Sequence, residues 1–503
     1  MDKAPENLII SSIMRIDFAK VGRLEWPKYH GLGGYMDLTE LSIIDARRGL
    51  SQHDFSCLEY VEALLVQAER QKHLNCLIAE NAEALRQHAR AFDNAPQTQP
   101  LSGIPLIFKD NIDIAGFATT AGTGALRTHI AAADAEISNR LFSAGALLAG
   151  KANMHELALG VTTHNGVFGA CRNPYDPTCS PGGSSGGCGS ALAARLAPGA
   201  IGTDTGGSVR LPASLCGVVG LRPSAGRYPQ TGIAPISHTR DTAGPMARTV
   251  LDVALLDSIL CGQVPDANFS PARPENLRLG VLRDPCWQGL EAGVATVCDR
   301  AMAKLADAGI ELIDVTVDQL ETLSATIGFP VALYEFARDL PAYLQAAHFP
   351  LSLTALADGV GSPDVAQIIR GVLVQGVPQT IYQHALETRA ILQAAYKNCF
   401  AAHRLDALIF PTTPLTARPI GDDETVALNG ARVPTFATFI RNTDPGSNAG
   451  IPGISIPAGL TPAGLPVGLE LDGGYQNDRA LLAVAATIEA ILGPLPPPAI
   501  VRA

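Results

Sequence analysis

Two residues of this chain have the types and settings needed to cleave an acyl bond: Lys109 and Ser208. Ser184 lies in the run Pro181-Gly182-Gly183-Ser184-Ser185-Gly186-Gly187, and Ser208 closes the run Thr205-Gly206-Gly207-Ser208. A serine hydroxyl is a weak nucleophile until a base takes its proton, and the oxyanion formed on attack needs donors already in place. Glycine at this density is used where backbone takes φ > 0 or comes close to something else. Both runs sit between apolar segments, where flexible linkers are seldom found, so they read as places where backbone N–H groups converge on a ligand. None of the 11 histidines lies in either run. Lysine is the alternative base. Lys109 ends the apolar stretch Gly103-Ile104-Pro105-Leu106-Ile107-Phe108, where burial can leave its amine neutral near physiological pH.

The elements that must carry these residues alternate along the chain. From Leu38 the apolar spacing is helical, and Ser56 with Glu59 three positions later reads as a capping box ahead of Leu58, Val61, Leu64 and Leu65. A strand is expected over Leu74 to Ile78, a helix near Ala82 to Ala91, and a loop from Asn94 to Gln99. The Lys109 strand follows, then a helix around Ser138 to Ala144, a strand ending at Lys151, and a helix from Ser190 to Leu196. Residues 251–405 read as richer in helix, including Pro330 to Ala347 with Leu333, Phe336, Leu340 and Leu344 on one face. Strands return at Ala407 to Phe410, Gly453 to Ile456 and Val467 to Leu471, and a helix from Asp478 to Leu492 comes last. The alternation predicts an α/β fold, a parallel or mixed sheet covered by helices on both faces.

Composition narrows the function classes. With 47% hydrophobic and 17% charged residues, the 503-residue chain can bury a large core. A net charge of -11 without a cationic stripe argues against nucleic acid or an anionic membrane as partner. The longest apolar stretches are broken by Asp252, Asp257 and Glu489, so no membrane span is expected, and the N-terminus does not read as a signal peptide. A cytoplasmic enzyme is the resulting expectation. Residues 1–36 read as an arm. The ten cysteines are dispersed and read as free thiols. Cys171, Cys179 and Cys188 lack metal spacing, and His155-Glu156 is not an HExxH motif. His129, His164 and His238 read as structural histidines, and no metal or organic cofactor is expected.

The two Gly-Ser runs, extended as Gly202-Thr203-Asp204-Thr205-Gly206-Gly207-Ser208-Val209-Arg210, together with Lys109-Asp110 upstream, resemble the amidase signature family of serine hydrolases. The resemblance runs from about Ser102 to Val250 and resumes at Leu405 to Pro411 and Gly450 to Leu471. It implies one amidase domain over 1–503, with an arm and helices at 1–100, a signature core at 101–250, a helical elaboration at 251–405 and the rest of the core at 406–503. It further implies Ser208 as nucleophile, Ser184 as a relay serine on a cis peptide bond and Lys109 as base. The N–H groups of Thr205, Gly206, Gly207 and Ser208 would form the oxyanion hole, with Ser185, Asp204 and Arg210 supporting them.

Other readings leave other marks. A phosphate-binding loop would carry GxxxxGK[ST], but Cys188 follows Gly187 and no lysine is in place. A scaffold that had lost catalysis would lack Lys109 or a serine, and all three are present. Within the family, Pro330 to Leu344 and Arg240 to Met246 resemble the indoleacetamide and mandelamide hydrolase branch. The expected substrate is therefore a small, aryl-bearing carboxamide cleaved to acid plus ammonia or amine. Aryl-amide or carbamate hydrolysis, and the glutaminase subunit of a tRNA-dependent amidotransferase, are the alternatives. Val161, Phe168, Ile233, Phe329 and Phe336 are candidates to wall an apolar acyl pocket. A homodimer is compatible with this reading.

Overall fold

The structure, a computed structural model, describes residues 37–95, 99–265 and 269–502. The expected arm over 1–36 and part of the loop at 94–99 lie outside the described residues. Residues Leu38–Ala503 form one compact unit.

An eleven-stranded mixed sheet runs through that unit. Its order is Leu77–Ala79, Leu147–Ala152, Pro105–Lys109, Gly199–Asp204, Thr242–Ala247, Val219–Arg222, Gly453–Leu460, Pro466–Asp472, Ala407–Pro411, Arg278–Leu282 and Glu311–Val315. The sheet is mixed: the edge strand Leu77–Ala79 is antiparallel to its neighbour, three parallel strands follow it, three more close the other end, and antiparallel strands join the two sets. Pro105–Lys109 and Gly199–Asp204 are buried at every position, as expected for strands covered on both faces. Their register pairs Phe108 with Ile201, so Lys109 and Thr203 emerge at the same end of the sheet.

Several elements differ from the pattern in the sequence. Residues 251–405 are helix-rich, yet Arg278–Leu282 and Glu311–Val315 inside that stretch extend the sheet. The Ser56 capping box is formed, and Asp478–Leu492 is helical over the expected range. The helix expected from Ser190 begins instead at Gly186 and ends at Ala193. Two of its glycines explain the early start: a Cβ on Gly187 would stand 2.3 Å from Asn153 O and 2.6 Å from Cys76 O, and one on Gly186 would stand 2.3 Å from Thr163 Oγ1. Close approach to backbone outweighs the poor helix propensity of glycine. This helix and Arg210–Cys216 pack into a core with Leu74, Ile107, Ala200, Val218 and Met246.

The helix expected at Pro330 runs from Leu320 to Ala346 and contains Pro330 and Pro341. Phe336, Leu340 and Leu344 bury one face, while Leu333 stays half-buried. No helix among the described residues is long and apolar enough to cross a membrane. Glu489 and Asp252 sit in packed helices, where Glu489 accepts from the Val250 N–H and Asp252 from the Ile44 N–H.

Gly187→Ala tests the packing of the Gly186–Ala193 helix. The added methyl meets backbone on two sides, so urea unfolding should show a loss of about 1–3 kcal/mol. A neutral result would mean that the helix can shift away from Asn153 at no cost.

Candidate active site

Lys109 and Ser184 meet at the end of the sheet. Both are fully buried, and Lys109 Nζ lies 2.7 Å from Ser184 Oγ. The Gly183–Ser184 peptide bond is cis. The remaining neighbours of Lys109 Nζ are Thr203 Oγ1 at 2.8 Å and Thr203 O at 3.3 Å, and Asn111 Nδ2 also donates to Thr203 Oγ1 at 3.1 Å. All of these oxygens are uncharged. Burial therefore pulls the ammonium down to about 7, only partly opposed by the more distant Cys188, Asp204 and Asp241.

A second lysine shows what Lys109 lacks. Lys151 is also fully buried, but it pairs with Asp110 at 3.3 Å and donates to Ile112 O at 2.7 Å. The carboxylate beside Lys109 in sequence therefore serves Lys151. Lys109 has no carboxylate in contact.

Ser208 is half-buried and faces a pocket that it lines with Thr205 and Gly206. Among the described residues no hydrogen bond joins Ser208 Oγ to Ser184. The loop from Thr205 to Ser208 is held from below. Asp204 accepts from the N–H groups of Gly207 at 2.8 Å and Val209 at 3.1 Å, and Arg210 grips the same carboxylate through Nε at 3.0 Å and Nη2 at 3.1 Å. Burial works against ionisation of Asp204, but Arg210 and Arg222 overcome it and hold the carboxyl well below the usual range. Arg210 also reaches Glu470 at 2.7 Å and Ser447 Oγ at 2.6 Å, and Arg222 donates to Asp204 O at 2.6 Å. Thr205 Oγ1 donates to the buried Asp241.

This network corrects one expectation. The Gly207 N–H is spent on Asp204, while the Gly206 carbonyl accepts from Thr443 Oγ1 at 2.7 Å, so the Gly206–Gly207 peptide is fixed at both ends. Gly207 has φ +139°, and a Cβ there would lie 2.3 Å from Thr443 Oγ1. The amides left without an intramolecular partner among the described residues are those of Thr205, Gly206 and Ser208. The Ser185 hydroxyl donates to Thr203 O at 3.1 Å and accepts from Thr203 N, and its amide donates to Ser208 O.

The pocket holds about 630 Å³ of empty space including its open mouth. Leu159, Val161, Ile236, Leu333, Ile368 and Ile440 line it, and Phe329 and Phe436 pack at 5.5 Å between ring centroids. Val161 and Phe329, two of the five candidates for an acyl pocket, line this pocket. Phe336 instead fills the core on the inner face of its helix, Ile233 is buried away from the pocket, and Phe168 packs under Arg127. Periodicity along a helix gives the buried face, but not which neighbouring residue opens onto a cavity.

The cysteines and histidines do structural work. Cys188 is buried beside Lys109, bonded to Ile201 O, and burial pushes its thiol up to about 12. Burial also raises the Cys171 and Cys179 thiols. His155 accepts from the Thr163 N–H and reaches Asp364 at 3.0 Å, His129 meets Tyr343 OH, and His164 meets Asp423. His238 lies near Glu335 and Asp339, but Arg338 fills the same space, 2.7 Å from His238 and 2.8 Å from Asp339. The residues to which sequence reasoning gave no place in the site are Thr203, Asn111, Arg222, Arg240, Thr443 and Asp444. Thr203 sits inside the glycine-rich run and Arg240 in a segment that carries the branch resemblance, so these two had a local signal.

Comparison with known proteins defines first a class, enzymes that hydrolyse amide bonds. The family model for Amidase matches residues 59–482. The chain is 44% identical over 457 residues to the indoleacetamide hydrolase of Rhizobium radiobacter, covering 90% of this chain and 97% of that one. It is 40% identical over 485 residues to the mandelamide hydrolase of Pseudomonas putida, covering 92% and 93%. A crystal structure of an amidase superposes with a TM-score of 0.82 at 33% identity, over 90% of this chain and all of that one. The chain belongs to the amidase family and is an amide hydrolase.

Arg210→Met would leave Glu470 in the interior without its cation and Asp204 with Arg222 alone. Removing one partner of a buried pair costs about 3–5 kcal/mol, so the variant should unfold at clearly lower urea concentration than wild type. Thr443→Val keeps the side chain's shape and frees the Gly206 carbonyl. It should lower kcat with little change in KM, and Thr443→Ser should restore kcat.

Proposed function

We propose that this enzyme hydrolyses a small, aryl-bearing primary carboxamide to the carboxylic acid and ammonia, with Ser208 as nucleophile, Ser184 as proton relay and Lys109 as base. The observation that carries the proposal is Lys109: a buried amine 2.7 Å from a serine hydroxyl, with no carboxylate in contact, while Ser208 lines an apolar pocket. A neutral amine has two N–H donors and one lone pair. Thr203 O and Thr203 Oγ1 can take the two donors, since Asn111 occupies only one lone pair of that hydroxyl. The amine's lone pair is then left for the Ser184 O–H.

The steps follow from that arrangement. Ser208 rotates toward Ser184 and gives it a proton as Ser184 passes its own to Lys109, and Ser208 Oγ bonds to the amide carbon. The carbonyl electrons move to oxygen, where the amides of Thr205, Gly206 and Ser208 receive them. The C–N bond then breaks as the proton returns along the same path to nitrogen, releasing ammonia. Water attacks the acyl-enzyme ester, gives its proton to the relay, and the acid leaves as Ser208 is regenerated.

The relatives support the substrate class. Indoleacetamide and mandelamide, named in those enzymes, are primary amides held a short arm from an aromatic ring. The apolar wall with Phe329 and Phe436 fits such a ring. Phenylacetamide should therefore be turned over faster than acetamide, glutamine or an aryl carbamate. Preferential cleavage of glutamine or the carbamate would overturn the substrate while leaving the triad in place.

The pH profile follows from the lowered Lys109 value of about 7. Only the neutral amine can accept a proton, so log kcat/KM should rise with a slope near one below that value and level off above it. Lys109→Ala and Ser184→Ala should each cost about 10²–10⁴-fold in kcat, because each breaks proton transfer. Ser185→Ala should cost less. A flat profile between pH 5 and 9 (a window of about two units on either side of that value) would remove Lys109 from the role of base.

A further inference from the structure

Two charged side chains open onto the mainly apolar pocket, Arg240 and Asp444. They form an ion pair at 2.6 Å, Arg240 also donates to Gly328 O at 2.7 Å, and Asn448 donates to the other oxygen of Asp444 at 2.7 Å. The carboxylate fits between two glycines. A Cβ on Gly206 would come within 2.9 Å of Asp444 Oδ1, and one on Gly328 within 3.0 Å of Oδ2. Those glycines belong to the loop bearing Ser208 and to the helix that continues into Phe329. The pair thus lies between the reacting end of the pocket and its aromatic wall.

A paired charge on an apolar wall costs desolvation, and packing alone does not require it there. Arg240 neutralises Asp444, which would otherwise oppose the oxyanion formed beside Gly206. Each carboxylate oxygen accepts one hydrogen bond from the protein and keeps capacity for another. Asp444 is also the more open partner, with 16% of its side chain accessible against 4% for Arg240. The exposed polar surface at this point of the pocket is therefore chiefly an acceptor.

The geometry points to Asp444, held by Arg240 and Asn448, as a specificity-determining anchor that accepts a hydrogen bond from an N–H or O–H group on the acyl part of the substrate. This rests on the arylcarboxamide reading given above and narrows it to rings or side arms that carry a donor. An acyl group without one leaves a carboxylate dehydrated and short of a partner, which lowers its binding in the ground state and the transition state alike.

The test compares three amides of nearly the same shape on the full-length enzyme. Indole-3-acetamide donates from its ring, benzofuran-3-acetamide only accepts, and benzothiophene-3-acetamide does neither. Phenylacetamide serves as a control: if none of the four is hydrolysed, the arylcarboxamide reading has failed, whereas turnover without preference means that the anchor alone has failed. Wild type should favour the indole over the benzothiophene compound by about 10–100-fold in kcat/KM, the usual worth of a hydrogen bond to a charged group. Asp444→Asn should shrink that ratio, and Arg240→Met/Asp444→Leu, which replaces the pair by apolar side chains, should bring it near one through a KM rise confined to the indole compound. Equal wild-type rates on the indole and benzothiophene compounds overturn the proposal whatever the variants do. So does a preference for benzofuran, which would make Arg240 the partner, a ratio that survives in the double variant, or an equal loss on all substrates in a folded Asp444→Asn.

Discussion

The site depends on a lysine taken out of water without a counter-charge in contact. Burial costs a cation heavily, and a protein normally pairs it or lets it lose its proton. Lys151 is paired, through Asp110, whereas burial pulls the Lys109 ammonium down to about 7. The distinction is set by the sheet. The Pro105–Lys109 strand ends with its amine over Thr203 of the neighbouring strand, so the oxygens nearest it are a carbonyl and two hydroxyls. Asp204, one residue on, is committed elsewhere.

That commitment organises the rest. Asp204 is held by Arg210 and Arg222 and in turn fixes the amides of Gly207 and Val209, which shapes the loop bearing Ser208. Arg210 continues to Glu470, and burial pushes both Glu470 and Asp472 toward their protonated forms. Two guanidinium groups are thus balanced by one firmly ionised carboxylate and an acid pair reluctant to ionise. This keeps strong charge beneath the Thr205–Ser208 loop, where it holds the loop without claiming the Lys109 amine as a partner.

Much of this could be read from the sequence because the chemistry is local. Lys109 and Ser208 stand at a strand end and in a short glycine-rich run, contexts that suggest their chemistry, while Ser184, Asp204 and Arg210 were marked by the family resemblance of those same runs. The parts that escaped are long-range. Thr443 and Asp444 act on Gly206 and Arg240 from a distant helix, and nothing in their own neighbourhood marks them. Phe336 was misplaced because a helical stripe reveals burial, whereas a pocket wall is made by what the facing elements leave open. Arg278–Leu282 and Glu311–Val315 are short strands among long helices, and runs of that length have no period strong enough to reveal them. The Gly186–Ala193 helix defied propensity for a tertiary reason, the backbone pressed against its glycines.

The most direct test of the account is the charge of Lys109 itself. In protein carrying isotope-labelled lysine, the side-chain nitrogen and adjacent carbon signals lost in Lys109→Met can be followed by NMR as pH is varied. The account predicts a transition close to 7, far below that of an exposed lysine, with the neutral amine predominating above it. An ammonium signal that persists up to the ordinary lysine range would contradict it, and with it the assignment of Lys109 as the base.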